Sequence, residues 1–323
     1  MMNRLDLQQT GKILMDAQRI ALTIHMSPDG DAIGGSLALA RVLTQLGKEV
    51  TIFVDDIIKG FKFLPDLNKI KTSVDLDRIT EPLQFDLLCI LDCSTLARIG
   101  RVAEKVTAQT KLNIDHHVSN NGFVENTYLD GDAAATAEII GALVKEMEWP
   151  LDKVTADCLF TGLYTDCGSF AYSCTRPETM QCGAELLAAG AEPHKIDEAL
   201  DVMSPVTMSA LVYVLNNLQY TFGGRVAYMW MDLEMYEKIK DTADTENFIN
   251  FPRRIEGVEL AVFFKEVEPE KTRVSMRSKN IDVAEIAMLF NGGGHARAAG
   301  GTIRLPLKQA IATFLETIGE RLI

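Results

Sequence analysis

Histidine and aspartate gather in four short stretches of the chain: His25-Met-Ser-Pro-Asp29-Gly-Asp31, Asp92 directly after Leu91, Asp115-His116-His117, and Asp166 within Gly162-Leu-Tyr-Thr-Asp-Cys-Gly168. Of the five histidines in the chain, four fall in only three motifs: the first stretch, the Asp-His-His run, and Asn291-Gly-Gly-Gly-His295. Chance placement explains that poorly. Carboxylates mixed with neutral imidazoles suit hard or borderline divalent ions such as manganese, whereas an all-oxygen set leans toward magnesium and thiolates lean toward zinc. Two cations a few ångström apart are a recurring solution to phosphate ester cleavage, because together they acidify a water and neutralise charge on the attacked phosphate. A shared carboxylate is the natural bridge, and Asp92, alone at its position, is the candidate.

Each residue taken singly has a plainer reading. Asp31 could merely cap a helix beginning near Ile33, and Asp29-Gly30 could be a turn. It is the set as a whole that points to a site. Asp55 and Asp56, with no histidine nearby, read as solvated.

The elements that must position these groups can be read from apolar periodicity. Ala21–Ile24, Val50–Val54, Phe85–Leu91 and Leu112–Ile114 are short apolar runs rich in branched residues, which predicts parallel strands. Between the first two, Ile33–Leu46 has helical spacing closed by Gly47, giving a β-α-β start. The fold class is therefore α/β, an N-terminal doubly wound, mainly parallel sheet with helices on both faces. In that architecture the carboxyl ends of the strands share one rim where ligands bind, so His25, Asp29, Asp31, Asp92, Asp115, His116 and His117 would converge there. Helices are expected at Ala133–Glu146, Val154–Tyr164, whose end could bring in Asp166, and Pro177–Ala189. From Ile196 to about Asn217 the pattern is helical but interrupted by Pro205.

After that stretch the character changes. Arg225–Met231, Leu260–Val267 and Arg273–Arg277 predict strands, with a hairpin turn at Glu268–Lys271, a helix over Val283–Phe290, a strand near Thr302–Leu305 and a closing helix from Leu307. The expected organisation is a first domain over 1–192, a helical linker over 193–217 and a smaller mixed α/β domain over 218–323.

The net charge of −13 disfavours binding to long double-stranded nucleic acid, which depends on many Lys and Arg neutralising phosphates, but leaves small nucleotides open. No apolar run is long enough to cross a bilayer and Met1–Gln9 is too polar for a signal peptide, so the expectation is a cytoplasmic protein without a membrane partner. The six cysteines form no CxxC pair and read as reduced, packed thiols, including Cys93 and Cys167 beside candidate ligands.

His25 to Asp31, Asp92, Asp115-His-His117 and Asp166 resemble the four motifs of the DHH phosphoesterase superfamily, and Asn291-Gly-Gly-Gly-His295-Ala-Arg-Ala-Ala-Gly300 resembles the glycine-rich signature of the DHH-associated C-terminal domain. The order matches the family's and spans most of the chain. The arrangement is most similar to bifunctional oligoribonucleases, or nanoRNases, which also dephosphorylate 3'-phosphoadenosine 5'-phosphate; the same group includes enzymes that cleave pApA. With no sensory or membrane domain before the first motif, membrane-bound cyclic dinucleotide phosphodiesterases are disfavoured.

The resemblance implies two divalent metal ions, manganese foremost with magnesium or cobalt as alternatives. One would be held by His25, Asp29 and Asp92, the other by Asp31, Asp92, His116 and Asp166. It further implies that His117 lies close to the scissile phosphate and that Asp115 holds a neighbouring histidine. Substrate, a short oligonucleotide or small nucleotide phosphate, would be met by Arg277, Ser278 and His295, and by Gly292, Gly293 and Gly294, whose missing side chains let backbone amides approach an anion and adopt positive φ. Arg98, after Asp92-Cys-Ser-Thr, resembles another family position near the site, with a helix-surface arginine as the alternative. Asn291 departs from the pattern, standing where many members have a further glycine. A homodimer is also implied. The rival readings are a family II-like inorganic pyrophosphatase or exopolyphosphatase, against which the Gly292–His295 signature argues, and a non-catalytic nucleotide-binding regulator.

Overall fold

The computed structural model describes residues 3–56, 58, 60–243 and 245–322, with the side chains of residues 3, 295 and 320–322 outside that description. The chain divides into two compact units, Met1–Asp201 and Val202–Ile323. The stretch 193–217, expected as a separate helical linker, is instead shared out, residues 193–201 to the first unit and 202–217 to the second.

The first unit runs β1 (Asn3–Arg4), α1 (Leu7–Asp16), β2 (Arg19–Thr23), α2 (Gly30–Gln45), β3 (Glu49–Phe53), α3 (Ser73–Leu76), β4 (Leu83–Leu91), α4 (Val102–Lys105), β5 (Val106–Asp115), β6 (Asn126–Leu129), α5 (Thr136–Glu146), α6 (Lys153–Asp166), α7 (Pro177–Ala188) and α8 (Pro193–Asp201). Its six strands lie in the order β1-β6-β5-β4-β2-β3, every neighbouring pair parallel. The chain moves outward from β2 to β3 and then returns to the other side of β2 with β4, so the strand order reverses between β2 and β4. At such a reversal the connections leave in opposite directions and open a crevice beyond the strand ends. The β2 end leads into His25 to Asp31, the β4 end into Asp92, and the next strand, β5, ends at Asp115.

Both sheet faces are buried. Leu22 of β2, Leu87, Cys89 and Leu91 of β4, and Leu112 and Ile114 of β5 share a core with α2, α5 and α6. Ala21, Phe53, Leu88 and Ile90 face the other way with Val102 and Leu76. Burial on two faces accounts for runs that are apolar throughout and do not alternate.

Helices α2 and α6 pack so tightly that they have room only for glycine at the contact. A Cβ on Gly34 would lie 2.3 Å from the Cys158 carbonyl oxygen, and one on Gly162 would lie 2.9 Å from Asp31 Oδ1 and 2.7 Å from Ala137 Cβ. This close approach brings the start of α2, with Asp31, against α5 and α6.

The second unit runs α9 (Pro205–Asn216), β7 (Gln219–Thr221), β8 (Val226–Met231), α10 (Leu233–Ile239), α11 (Asn250–Arg253), β9 (Leu260–Glu268), β10 (Lys271–Ser278), α12 (Val283–Leu289), β11 (Gly293–His295), β12 (Ala298–Ile303) and α13 (Leu307–Leu322). Its mixed sheet has the order β11-β12-β10-β9-β8-β7, parallel only between β8 and β9 among the described pairs. Along β9 successive residues alternate between two cores: Leu260, Val262 and Phe264 meet α12 and α13, while Ala261 and Phe263 meet α9. Pro205 stands at the first position of α9, where its missing N–H costs nothing.

The glycine-rich run Gly292–Gly294 leads into a strand, β11, at the sheet edge. Of its three glycines only Gly294 has positive φ, at 142°. Gly292, expected to offer its amide to an anion, instead donates that amide to Ala287 O (3.0 Å), and a Cβ there would sit 2.0 Å from Gly300 O. Asn291 has φ of 52°, a left-handed conformation that asparagine tolerates better than most residues, which explains how it stands in for glycine.

Candidate metal centre

His25, Asp92 and Asp115 are almost completely buried at the strand ends, as is Asp31 in the first turn of α2. Asp92 turns the chain out of the sheet with φ of 55°, held there by its amide, which donates to Ile114 O at 3.0 Å. A left-handed non-glycine residue costs on the order of 1–3 kcal/mol and persists where surrounding structure demands it. The result is that its two carboxylate oxygens address different neighbours. Oδ2 lies 3.3 Å from His25 Nε2, and Oδ1 lies 3.5 Å from His116 Nε2.

Around this carboxylate the potential ligand atoms form three groups, each within 4.8 Å of one another: His25, Asp29 and Asp92; Asp31, His116 and Asp166; and Asp92, His116 and His117. The first two hold one histidine each, and Asp92 reaches both. His25 and His116 each have Nδ1 against a backbone carbonyl, Met26 O at 2.9 Å and Ala133 O at 3.1 Å. Those contacts make Nδ1 the protonated atom and turn Nε2 toward the carboxylates.

Asp29 is the N-cap of α2, accepting from Ala32 N–H at 3.0 Å. Asp31 caps a different helix from the one suggested by its position. Its oxygens accept the amides of Thr136 (2.6 Å) and Ala137 (2.8 Å) at the start of α5, whose own N-cap, Ala135, has no side-chain acceptor.

His117 Nδ1 lies 2.7 Å from Asp115 Oδ1. The other Asp115 oxygen accepts from Asn120 (2.6 Å), and Asn120 and Asn113 both donate to the Cys93 carbonyl just after Asp92. Arg98 is exposed on a turn whose carbonyl accepts from Met26 N–H (2.8 Å). Asp55 and Asp56 are not the solvated pair expected. Asp56 accepts from Ser27 N–H (2.8 Å) and so shapes the His25 loop, while Asp55 makes a two-pronged pair with Arg101 (2.6 and 2.9 Å).

In the second unit Arg277 is half-buried and donates to Met276 O at 3.0 Å. Ser278 is buried, its hydroxyl donating to the Ile281 carbonyl, so this side chain expected at the substrate is engaged in holding a turn. The His295 side chain lies outside the described residues.

The charges are crowded. Burial and the neighbouring Asp92 and Asp166 push the Asp31 carboxyl well above the usual range. Burial also raises Asp166 to about 7, with His116 opposing and Asp92 adding to the shift. For His116 burial disfavours the cation, but its bond to Asp92 and the charges of Asp31, Asp92 and Asp166 prevail and raise it to about 11. Burial works against the Asp92 anion too, yet hydrogen bonding to His116 and His25 holds it well below the carboxylate range. Two divalent cations would match the four aspartates Asp29, Asp31, Asp92 and Asp166 charge for charge, so the donor set fits such a pair.

Thr136, Glu138, Asn113 and Asn120 complete the surroundings of the site although their sequence context does not single them out. Buried Glu138 accepts from Ala134 N–H (3.0 Å), Thr179 Oγ1 (2.8 Å) and Arg176 Nη2 (2.8 Å). Nothing in its local sequence separates it from an ordinary acidic residue in the first turn of a helix.

Residues 19–163 match the model of the DHH family, N-terminal domain, and residues 223–323 match that of the DHHA1 domain. The chain is 32% identical over 307 residues to the bifunctional oligoribonuclease and PAP phosphatase NrnA of Thermus thermophilus, spanning 94% of this chain and 90% of that protein. It is similar to the crystal structure of an exopolyphosphatase-related protein from Bacteroides fragilis, with a TM-score of 0.88 and 29% identity over 98% of this chain and 97% of that one. RecJ from Thermus thermophilus in complex with Mn2+ has a TM-score of 0.52 at 14% identity, over 95% of this chain and 53% of RecJ, a likeness of fold. The chain belongs to the DHH family, with a DHHA1 domain in its C-terminal part.

Proposed function

We propose that the chain is a cytoplasmic hydrolase that cleaves short oligonucleotides such as nanoRNA and pApA to mononucleotides and converts 3'-phosphoadenosine 5'-phosphate to AMP. The observation that carries this reading is Asp92, buried between two histidine-carboxylate groups with one oxygen toward each. The similarity to an oligoribonuclease and PAP phosphatase over 94% of the chain supports the choice of substrate.

His25, Asp29 and Asp92 would hold one divalent cation, and Asp31, Asp92, His116 and Asp166 the other, manganese first with magnesium or cobalt as alternatives. When bound, the pair supplies charge neutralisation at the phosphate and acidifies a water. The Asp115 carboxylate, in contact with His117 Nδ1, orients that ring so that its Nε2 meets the phosphate and stabilises the negative charge that develops during in-line attack. Arg98 contributes a cation to substrate binding. In the second unit Arg277, His295 and the edge strand recognise the nucleotide. A Cβ at Gly293 would meet nothing within 4 Å, so the backbone there is open to approach.

Turnover of pApA, a pentanucleotide, 3'-phosphoadenosine 5'-phosphate and pyrophosphate, each with Mn2+ and with Mg2+, tests the reading. Metal-dependent release of mononucleotide or AMP, faster than pyrophosphate hydrolysis, is expected. Pyrophosphate as the preferred substrate would overturn it.

A further inference from the structure

We infer that Thr136 is a positioning residue for the metal centre, its hydroxyl fixing the Asp92 carboxylate so that one oxygen turns to each ligand group. Thr136 Oγ1 donates to Asp92 Oδ1 at 3.1 Å, and both residues are buried. Oδ1 is also the oxygen facing His116, so the hydroxyl constrains rotation about the final bond of the Asp92 side chain.

The backbone around Thr136 has the same relation to two other candidate ligands. Its amide and that of Ala137 hold Asp31, and the Ala133 carbonyl holds His116 Nδ1. Three ligands, from α2, the residue after β4 and the turn after β5, are thereby referenced to one stretch, 133–137. Glu138 anchors that stretch from behind through the Ala134 amide. Partners of this kind orient a ligand without touching the ion, and losing one weakens metal affinity by about 10–100-fold.

This inference rests on the two-cation reading, and the test separates the two. Mn2+ titration calorimetry and the electron paramagnetic resonance spectrum of the bound ions are compared for wild type, Thr136→Val, Thr136→Ser and Asp92→Asn. Valine keeps the shape and removes the donor; serine keeps the donor. Wild type is expected to bind two coupled ions. Thr136→Val should bind them about tenfold more weakly, with an altered coupling pattern, while Thr136→Ser keeps wild-type values. Thermal melting without metal checks that the variants fold, and Thr136→Ala replaces Thr136→Val if valine cannot be accommodated. Wild-type affinity and coupling in the donorless variant would overturn the inference, as would equal losses in Thr136→Ser and Thr136→Val. Failure of the wild type itself to bind Mn2+ would instead sink the metal reading.

Discussion

Gly34 lies so close to Cys158 that an added Cβ would come within 2.3 Å of the Cys158 carbonyl oxygen. Backbone cannot swing aside as a side chain can, so Gly34→Ala must push α2 away from α6. We expect a loss of about 1–3 kcal/mol in urea unfolding of the metal-free protein and weaker Mn2+ binding, since these helices carry Asp31 and Asp166. Gly35→Ala is the control. Its nearest side-chain atom, Ile140 Cδ1 at 3.0 Å, can move, and the helix gains propensity worth about 0.5–1 kcal/mol, so the net change should be near zero. Equal effects at both positions would contradict the packing account.

Glu138→Ala leaves the Arg176 guanidinium, the Thr179 hydroxyl and the Ala134 amide without their shared acceptor. Arg176 keeps partial solvent access, which softens the penalty, so the expected cost is about 2–3 kcal/mol in denaturant. A variant as stable as wild type would show that the network does not hold the α5 start.

Protonation should compete with metal. The Asp166 carboxyl, raised by burial from 3.8 to about 7, holds a proton in the folded metal-free protein that the unfolded chain has lost between those values. The folded state therefore binds more protons in that window, and this group's contribution makes metal-free stability fall as pH rises from about 4 to 7. His116, raised to about 11, acts in the same direction from about 6.5 upward. Cations displace these protons, so Mn2+ affinity should strengthen as pH rises from 6 to 8. Calorimetry at pH 6.5 in two buffers of different ionisation heat should register proton release. Affinity independent of pH would contradict it.

Gly292→Ala probes the second unit. With its Cβ directed 2.0 Å from Gly300 O, alanine should dislodge β11 from β12. The expected result is slower turnover of pApA with Mn2+ affinity unchanged; parallel loss of both would indicate a general folding defect.

Most of the metal-binding residue types were legible because they follow a strand whose apolar run is unmistakable, and parallel topology gathers strand ends at one rim, whereas Asp166 comes from the end of α6. The strands themselves were less complete. Only Leu112–Ile114 of β5 reads as strand, because residues 107–111 are polar or partly exposed where the strand runs past the buried centre. The N-terminal α1 carries a local start signal, the Asp6–Gln9 capping box, but its fully buried face is Thr10, Gly11 and Leu14, of which only one is a large apolar residue.

Thr136 and Glu138 were illegible for another reason. Their partners, Asp92, Thr179 and Arg176, lie 38 to 44 residues away, and no local pattern encodes such pairings. The same holds for Asp31, whose capping target is 105 residues distant and not the helix it begins. Asp56 differs in kind, because its partner Ser27 belongs to the His25 loop, yet nothing in the Asp55-Asp56 pair announces it.

Asp92 is expected to stand between two cations. Crystals grown with Mn2+ and measured at the manganese absorption edge test it directly. Two anomalous peaks are predicted, one beside each oxygen of Asp92, the first against His25 and Asp29 and the second against Asp31, His116 and Asp166. A single peak, or two peaks neither of which touches Asp92, would contradict the account.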